Sequence, residues 1–300
     1  MFIFFSFLFS CSNPVDDSIK NQDHNQSFGP NTRIETEYKL STPDSLIDQV
    51  YKYLNETYAE KNIFLNNIDT ACNAVFSDEK FSDIYFDNYQ FQLVKNENGI
   101  RYRIRKVLSD PLNRKNNREL IQVKISGTSK NDLTREEYKY HVEHSENETE
   151  NNYSILGLVE VHKRVEVSEK LKKIGVQIAS LHPFIKIGQE RKRICFNKDG
   201  ITVFGISLDH VTAQYKKHTT HFTEIEIEVN EIAYTNADSL YRTEMERTIE
   251  KIKKDILVHF ETIKQDQTPK YNKGYNKLKQ EYPNFDTEFL RESQCSNTLF

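Results

Sequence analysis

Charged residues at every second position on several predicted strands are the residues of this chain best suited to chemistry. Glu224, Glu226 and Glu228 alternate with Ile225 and Ile227. Because residues i and i+2 of a strand share a face, the three carboxylates lie side by side. They repel one another unless a cation lies between them, and hard divalent cations prefer carboxylate oxygens. The spacing therefore predicts a metal-binding face.

Basic residues alternate in the same way on other predicted strands. Arg101, Arg103 and Arg105 share one face, and Arg191 and Arg193 share another. Guanidinium groups bind phosphate oxygens through paired N–H donors. An ordinary half-solvated sheet would account for any one of these strands, but it would mix the two signs more freely. We therefore predict that acidic strands face basic strands across a closed barrel and form a metal-bridged polyphosphate site.

The composition excludes several other classes of protein. The chain has 300 residues, 37% of them hydrophobic, which is typical of a globular protein. It lacks the run of about 18 apolar residues that a membrane-spanning helix needs. With 41 basic and 45 acidic residues, the net charge of −4 gives no overall basic surface for nucleic acid. The four cysteines lack the C-x-x-C spacing of zinc sites.

Elements that position these charges follow from the hydrophobic pattern. A helix is predicted after the first strand, and a long amphipathic helix is predicted over 237–264. An antiparallel α+β domain is therefore expected over 33–275, followed by a polar C-terminal tail over 276–300. Strands are predicted over 33–41, 81–88, 99–107, 118–126, 133–142, 185–197, 200–212 and 221–231.

The N-terminal segment predicts export from the cytoplasm. Residues 1–10 have the length of the apolar core of a signal peptide, although no Lys or Arg precedes them. The residues before Cys11 resemble a bacterial lipobox, which predicts acylation of Cys11 and an envelope lipoprotein anchored in the membrane. Residues 12–32 then predict a flexible tether. A cleaved signal peptide and a meaningless apolar start remain as alternatives.

The order of these motifs resembles the CYTH superfamily, the triphosphate tunnel metalloenzymes. Glu35-Thr36-Glu37-Tyr38-Lys39 matches the family's opening E-x-E-x-K signature. Later segments resemble the family's other strands in the same order over about 33–275. These segments are Ile84-Tyr85-Phe86-Asp87, Arg103 with Arg105, Val123-Lys124, Arg135 with Glu136 or Glu137, Arg191-Lys192-Arg193, Ile206-Ser207-Leu208-Asp209, Phe222 to Glu228, and Thr268-Pro269-Lys270-Tyr271.

The resemblance implies an α+β fold with an eight-stranded antiparallel β-barrel, flanking helices, and bound Mg2+ or Mn2+. It implies that Asp209 is structural or lies behind the ligands. Arg101 stands where the family often has a small residue, and we predict that it contacts the substrate at the rim of the site. Pro269 replaces the family's serine before Lys270. The implied metal ligands are Glu35, Glu37, Glu224 and Glu226, and Glu228 would hold metal or position water. The implied phosphate-binding residues are Lys39, also a catalytic candidate, with Arg103, Arg105, Lys124, Arg191, Arg193 and Lys270.

The predicted activity is metal-dependent hydrolysis of the terminal phosphoanhydride of tripolyphosphate or a nucleoside triphosphate. The basic strands would neutralise developing charge, and the metal would polarise a phosphoryl oxygen. Two alternatives stay open, a protein that binds polyphosphate without turnover and an adenylyl cyclase. The sequence leaves open the substrate, the metal and the oligomeric state, and no nucleic-acid partner is expected.

Overall fold

A computed structural model of the chain describes residues 32–59, 73–110, 117–126, 134–142, 154–198 and 200–296. Within these ranges the chain forms nine antiparallel strands in one sheet. The predicted strands are all present, most of them longer than expected. They are β1 (Thr32–Thr42), β2 (Asn73–Asp87), β3 (Gly99–Ser109), β4 (Arg118–Ser126), β5 (Thr134–His141), β6 (His182–Lys198), β7 (Ile201–Tyr215), β8 (His218–Val229) and β9 (Lys264–Gln265).

The strand order is β5-β4-β3-β2-β6-β7-β8-β1-β9. Residues 32–36 of β1 pair with β5, whereas residues 37–42 pair with β8. The two ends of the sheet therefore meet on successive halves of β1, and the sheet does not close along its whole length. The expected closed barrel of eight strands is corrected in this respect, and the two-residue β9 beside β1 is the ninth strand.

Eight α-helices lie in the described ranges, together with 3-10 turns and one π-helical segment. The long helix begins later than predicted, at Ser239, because the Asp238 side chain caps it by accepting a hydrogen bond from Tyr241 N. The helices are α1 (Ile47–Leu54), α2 (Gln92–Lys95), α3 (Ile155–Leu158), α4 (Arg164–Lys173), α5 (Glu231–Asn236), α6 (Ser239–His259), α7 (Lys270–Glu281) and α8 (Phe285–Ser296).

The face of the sheet that carries apolar residues packs under α1 and α6. Leu40, Ile225 and Ile227 of the sheet form one buried cluster with Ile249 and Ile252 of α6. The alternate residues on the same strands are the charged ones. The apolar face therefore points outward under helices, and the charged face points inward.

The C-terminal region folds back onto the sheet. The end of α7 and all of α8 lie in the described part, up to residue 296, of the segment over 276–300 for which a polar tail is predicted. Phe285 and Phe289 of α8 are buried in a second core cluster with Phe184 and Tyr215. Two aromatic residues four positions apart lie on one face of a helix, and the average polarity of the segment does not reveal this apolar face. The folded domain therefore extends beyond residue 275.

No helix in the described ranges combines the length and apolar character needed to cross a membrane.

Candidate functional site: a charged cavity inside the sheet

The inward face of the sheet encloses a cavity of about 230 Å³. Among the described residues, eleven Lys and Arg side chains and six Glu side chains line it. The excess of positive charge favours a polyanion, since a low-dielectric wall strengthens each interaction. The basic lining residues are Lys39, Arg101, Arg103, Arg105, Arg118, Lys124, Arg135, Lys139, Arg191, Arg193 and Lys270.

A cluster of carboxylates from β7 and β8 reaches this cavity through Glu226. Asp209, Glu224 and Glu226 each offer an oxygen within 4.8 Å of the others, and all three are buried. The strand register explains this proximity, because Asp209 pairs directly with Glu224 and both glutamates share a face. Glu224 and Glu226 were predicted as metal ligands. Asp209 was placed at most behind them, but it lies among them.

The chemistry of this donor set fits a hard divalent cation such as Mg2+ or Mn2+, which binds carboxylate oxygens. Lys270, the first residue of α7, points its ammonium into the same cluster. Its Nζ lies 2.5 Å from Asp209 Oδ2, 2.7 Å from Glu224 Oε1 and 3.3 Å from Glu226 Oε1. Lys270 therefore contacts the carboxylates, whereas the sequence predicted a phosphate contact. A metal held by these carboxylates would share them with this ammonium.

Glu226 connects the carboxylate cluster to the basic residues. Its oxygens accept hydrogen bonds from Lys39 Nζ, at 3.0 Å, and from Arg191. Arg191 also donates to both oxygens of Asp209, at 2.7 and 2.6 Å. Burial acts to raise the pKa of Glu226, but Lys270, Lys39 and Arg191 outweigh burial and hold that pKa well below its ordinary value. Glu226 is therefore ionised at neutral pH.

Glu37 lies beside Lys39, with Lys39 Nζ 2.9 Å from Glu37 Oε1. It is buried but belongs neither to the carboxylate cluster nor to the lining of the cavity in the described part of the chain. Its prediction as a metal ligand therefore finds no support in this geometry. The side chain of Glu35 lies outside the described residues, and its backbone pairs with Arg135. Cys11 and the rest of residues 1–31 also lie outside them.

The arginines of β3 form another part of the wall of the cavity. Arg103 donates from Nε and from one terminal nitrogen to the two oxygens of Asp83, both at 2.6 Å. Arg101 donates to Asp83 Oδ2 at 3.0 Å and is only 6% exposed. Arg101 is therefore a buried, hydrogen-bonded wall residue, which corrects the prediction of a rim contact.

Further basic residues of this wall have looser or more exposed partners. Arg105 lies 3.9 Å from Glu79, and Arg193 pairs with Glu228. Burial lowers the pKa of Arg105, and the neighbouring Arg193 lowers it further against the attraction of Glu79. This like-charge crowding is what a polyanion in the cavity would relieve. Glu228 lines the cavity as predicted, but it lies outside the carboxylate cluster.

The strands β4 and β5 contribute a third group. Lys124 Nζ lies 3.5 Å from Glu137 Oε1, and Lys139 contacts the other oxygen of the same carboxylate. Gln122 Nε2 donates to Glu137 Oε1 at 3.0 Å. Burial acts to raise the pKa of Glu137, but Lys139 and Lys124 outweigh burial and hold it well below its ordinary value.

Among the described residues, the cavity thus brings together all of the predicted phosphate-binding residues but only Glu226 of the predicted metal ligands, and it adds others. The predicted residues that line it are Lys39, Arg101, Arg103, Arg105, Lys124, Arg191, Arg193, Glu226, Glu228 and Lys270. Sequence reasoning missed Glu79, Asp83 and Lys139 as site residues. Alternation by two would have found Lys139, which follows Glu137 by two, whereas Phe81 stands between Glu79 and Asp83 and interrupts the charge pattern on their face.

With this geometry established, comparison with known proteins gives the family. The sequence model of the CYTH domain family matches residues 47–254 of the chain. The chain therefore belongs to the CYTH domain family. No curated protein matches it significantly.

Solved structures similar to the chain share little sequence with it. The PH1819 protein from Pyrococcus horikoshii OT3 is 17% identical with a TM-score of 0.46, over 81% of this chain and 99% of that one. HpAC1 from Hippeastrum, assigned as an adenylyl cyclase and described with a dominant triphosphatase activity, is 13% identical with a TM-score of 0.37, over 79% and 93%. The Pct1 RNA triphosphatase of S. pombe is 10% identical with a TM-score of 0.33, over 76% and 82%.

Proposed function

We propose that this protein is a divalent-metal-dependent hydrolase of the terminal phosphoanhydride of tripolyphosphate or a nucleoside triphosphate. The observation that carries the proposal is a cluster of buried carboxylates next to a cavity lined by basic residues. Asp209, Glu224 and Glu226 converge, Glu226 also lines the cavity, and arginines from β3 and β6 line the same cavity. A candidate cation site beside a candidate anion site is what metal-assisted phosphoryl transfer requires.

In this proposal the carboxylates of Asp209, Glu224 and Glu226 hold the metal, which supplies Lewis-acid polarisation of a phosphoryl oxygen when bound. Lys39 and Arg191 lie next to these carboxylates and bind the adjacent phosphoryl group. Arg103, Arg105, Lys124 and Arg193 bind the rest of the chain of phosphates and neutralise its charge. Most of the rate enhancement then comes from positioned donors and charges in an enclosed cavity.

One observation favours binding without turnover as a second candidate. Each carboxylate of the cluster already contacts Lys270, and Arg191 contacts two of them. The cluster is therefore compensated by the protein's own cations, and the basic residues could retain an anion in the absence of metal. Adenylyl cyclase activity has no comparable observation in its favour.

The test is phosphate release by the full-length protein from tripolyphosphate, ATP and pyrophosphate, each with Mg2+, with Mn2+ or with a chelator. Hydrolysis requires release from tripolyphosphate or ATP that the chelator abolishes. Tight binding of tripolyphosphate by calorimetry without any release would favour the binding protein. If the protein neither releases phosphate nor binds tripolyphosphate, both candidates are refuted. Formation of cyclic AMP from ATP, detected by chromatography, would favour the cyclase.

We also propose, from the N-terminal sequence alone, that Cys11 carries a lipid anchor in the cell envelope. Expression with radiolabelled palmitate tests this proposal. Label incorporated by the natural chain and absent from a Cys11→Ser variant would support acylation. Label absent from both would refute it, and a smaller, unlabelled mature protein would favour a cleaved signal peptide.

A further inference from the structure

Asp83 of β2 is a buried carboxylate that the metal site does not use. It is 0% exposed, although it lies on the inward face of the sheet. It accepts four hydrogen bonds, two from Arg103 at 2.6 Å, one from Arg101 at 3.0 Å and one from Gln189 at 2.9 Å. Both oxygens are therefore occupied by donors from two neighbouring strands, β3 and β6.

The two arginines depend on this carboxylate electrostatically. Arg101 and Arg103 lie two residues apart on one strand face, so their positive charges would repel each other in an enclosed cavity. Burial acts to raise the pKa of Asp83, but the two guanidinium groups outweigh burial and hold that pKa below its ordinary value. Asp83 is thus ionised between them, and the trio retains a net positive charge.

Other contacts fix the planes of the two guanidinium groups. Arg101 Nε donates to Gln122 Oε1 at 2.8 Å, and Arg101 also donates to the Tyr85 hydroxyl at 2.6 Å. The Arg103 guanidinium carbon lies 4.4 Å from the centre of the Phe81 ring. Each guanidinium group is therefore held in one plane from more than one side.

We propose that Asp83 is a positioning residue that holds Arg101 and Arg103 in the orientation in which they receive the phosphates. This inference rests on the proposed function and deepens it. Asp83 itself lies behind the arginines and does not touch the substrate. Donors fixed before substrate arrives stabilise developing charge without the cost of reorganisation. In metal sites, a group that hydrogen-bonds to a metal ligand fixes the orientation of that ligand. Asp83 would fix the orientation of the two guanidinium groups in the same way.

An Asp83→Asn variant tests the proposal. The asparagine amide presents an N–H group to arginines that can only donate, so the two-pronged bond with Arg103 is lost while the positive charge remains. We expect kcat for tripolyphosphate to fall roughly 10- to 100-fold, as is typical for outer partners, with KM unchanged or lower. Rates are expressed per folded molecule, from the fraction folded at the assay temperature.

Two matched variants separate positioning from simple destabilisation. Asp255→Asn removes a carboxylate of α6 that accepts hydrogen bonds from Tyr53 and Tyr58, and it should leave kcat per folded molecule unchanged. Arg103→Lys, alone and combined with Asp83→Asn, completes a double-mutant cycle. If Asp83 acts through Arg103, the second substitution adds little to the first. Fully additive losses would overturn the proposal.

Arginine side-chain NMR keeps the inference testable if the natural protein hydrolyses nothing. The Nε–H signal of Arg103, assigned by its loss in Arg103→Lys, should exchange slowly with water in the natural protein and rapidly in Asp83→Asn. If the natural protein shows no turnover but the Nε–H of Arg103 exchanges slowly in it and rapidly in Asp83→Asn, the hydrolase is refuted and the positioning of Arg103 is supported. Equal exchange in both proteins, or natural kcat and KM in an active Asp83→Asn protein, would refute the role of Asp83.

Discussion

The two faces of one sheet have opposite chemistry. On β8, Glu224, Glu226 and Glu228 point into the cavity region, while Ile225 and Ile227 pack outward with α6. In an ordinary half-exposed sheet the apolar face forms the core and the charged face meets water. Here both faces are covered, the outer one by helices such as α6 and the inner one in part by α7, whose Lys270 contacts Asp209, Glu224 and Glu226.

This difference separates what stabilises the fold from what performs the chemistry. Apolar burial on the outer face and under α8 supplies the driving force for folding. The inner face costs desolvation, and its ion pairs roughly offset that cost at best. Substitutions on the outer side should therefore change stability with little effect on activity per folded molecule, whereas conservative substitutions on the inner side should lower the activity per folded molecule.

The largest effect on stability is expected from Phe289→Ala. The Phe289 ring is fully buried, with its centre 4.3 Å from that of Phe184 and 5.0 Å from that of Tyr89. Removing a buried ring leaves a cavity, and we expect a loss of about 3–5 kcal/mol in the free energy of unfolding. Urea denaturation measures it. Val258→Ala, at an 81% exposed position of α6, is the control and should change it by less than about 0.5 kcal/mol.

On the inner face, Glu226→Gln should have the largest effect on activity. The amide keeps the shape of the side chain but removes a charge that contacts Lys39, Arg191 and Lys270. We expect metal-dependent phosphate release to fall by about 100- to 1,000-fold. Glu190→Gln makes the same change at an exposed position of β6, where Glu190 pairs with Lys80 at 2.6 Å. Equal losses in both variants would contradict the division between the faces.

Much of this division could be predicted from the sequence, because alternation by two directly reports which residues share a face of a strand. The acidic run of β8 and the basic run of β3 were identified in this way. Asp83 was missed because it stands in a run of mixed polar and aromatic residues, where no repeated charge marks the inner face. Its role depends on partners from β3 and β6, which local spacing does not show.

The region beyond residue 260 was harder to predict for a different physical reason. Lys270 has the right position for a family lysine, but its partners are set by how α7 docks against the sheet. Likewise, Phe285 and Phe289 stand in a largely polar segment, which gives no clear hydrophobic pattern. Their burial depends on tertiary packing against Phe184. The closure of the barrel was overestimated because β1 pairs with β5 only over residues 32–36, and the extent of such long-range pairing leaves no local pattern.

Gly274→Ala should have a smaller effect, at the place where α7 approaches the sheet closely. A Cβ atom at Gly274 would lie 2.9 Å from Ala213 Cβ and 3.3 Å from Ile187 Cδ1. Such overpacking costs about 1–3 kcal/mol, partly offset by the roughly 1 kcal/mol better helix propensity of alanine. We therefore expect a net loss of about 1 kcal/mol in the free energy of unfolding, measured in urea.

The compensating variant for this contact is Ala213→Gly. In combination with Gly274→Ala it removes the atom that the new methyl group would meet, so part of the lost stability should return. The free energy of unfolding of the double variant is compared with the value expected from adding the two single losses. If the double variant loses as much as that sum or more, close packing at this point does not limit the position of α7.

The smallest effect concerns acid stability and tests the inner face alone. A carboxyl group whose pKa is lower in the folded than in the unfolded chain stabilises the fold above its ordinary pKa. That contribution disappears as the pH falls through the lowered value. Asp83 has such a lowered pKa because Arg101 and Arg103 outweigh its burial. Melting temperatures of the natural protein should therefore fall as the pH drops below about 4.

The Asp83→Asn variant should melt at a lower temperature than the natural protein at pH 7, because a buried pair has lost one partner. Its melting temperature should fall less steeply in acid, since the titrating group is gone. The difference in melting temperature between the two proteins should thus become smaller between pH 7 and pH 3. A constant difference would mean that Asp83 has the same pKa in the folded and unfolded chains. The charge on the inner face would then contribute nothing to the acid sensitivity of the fold at this position.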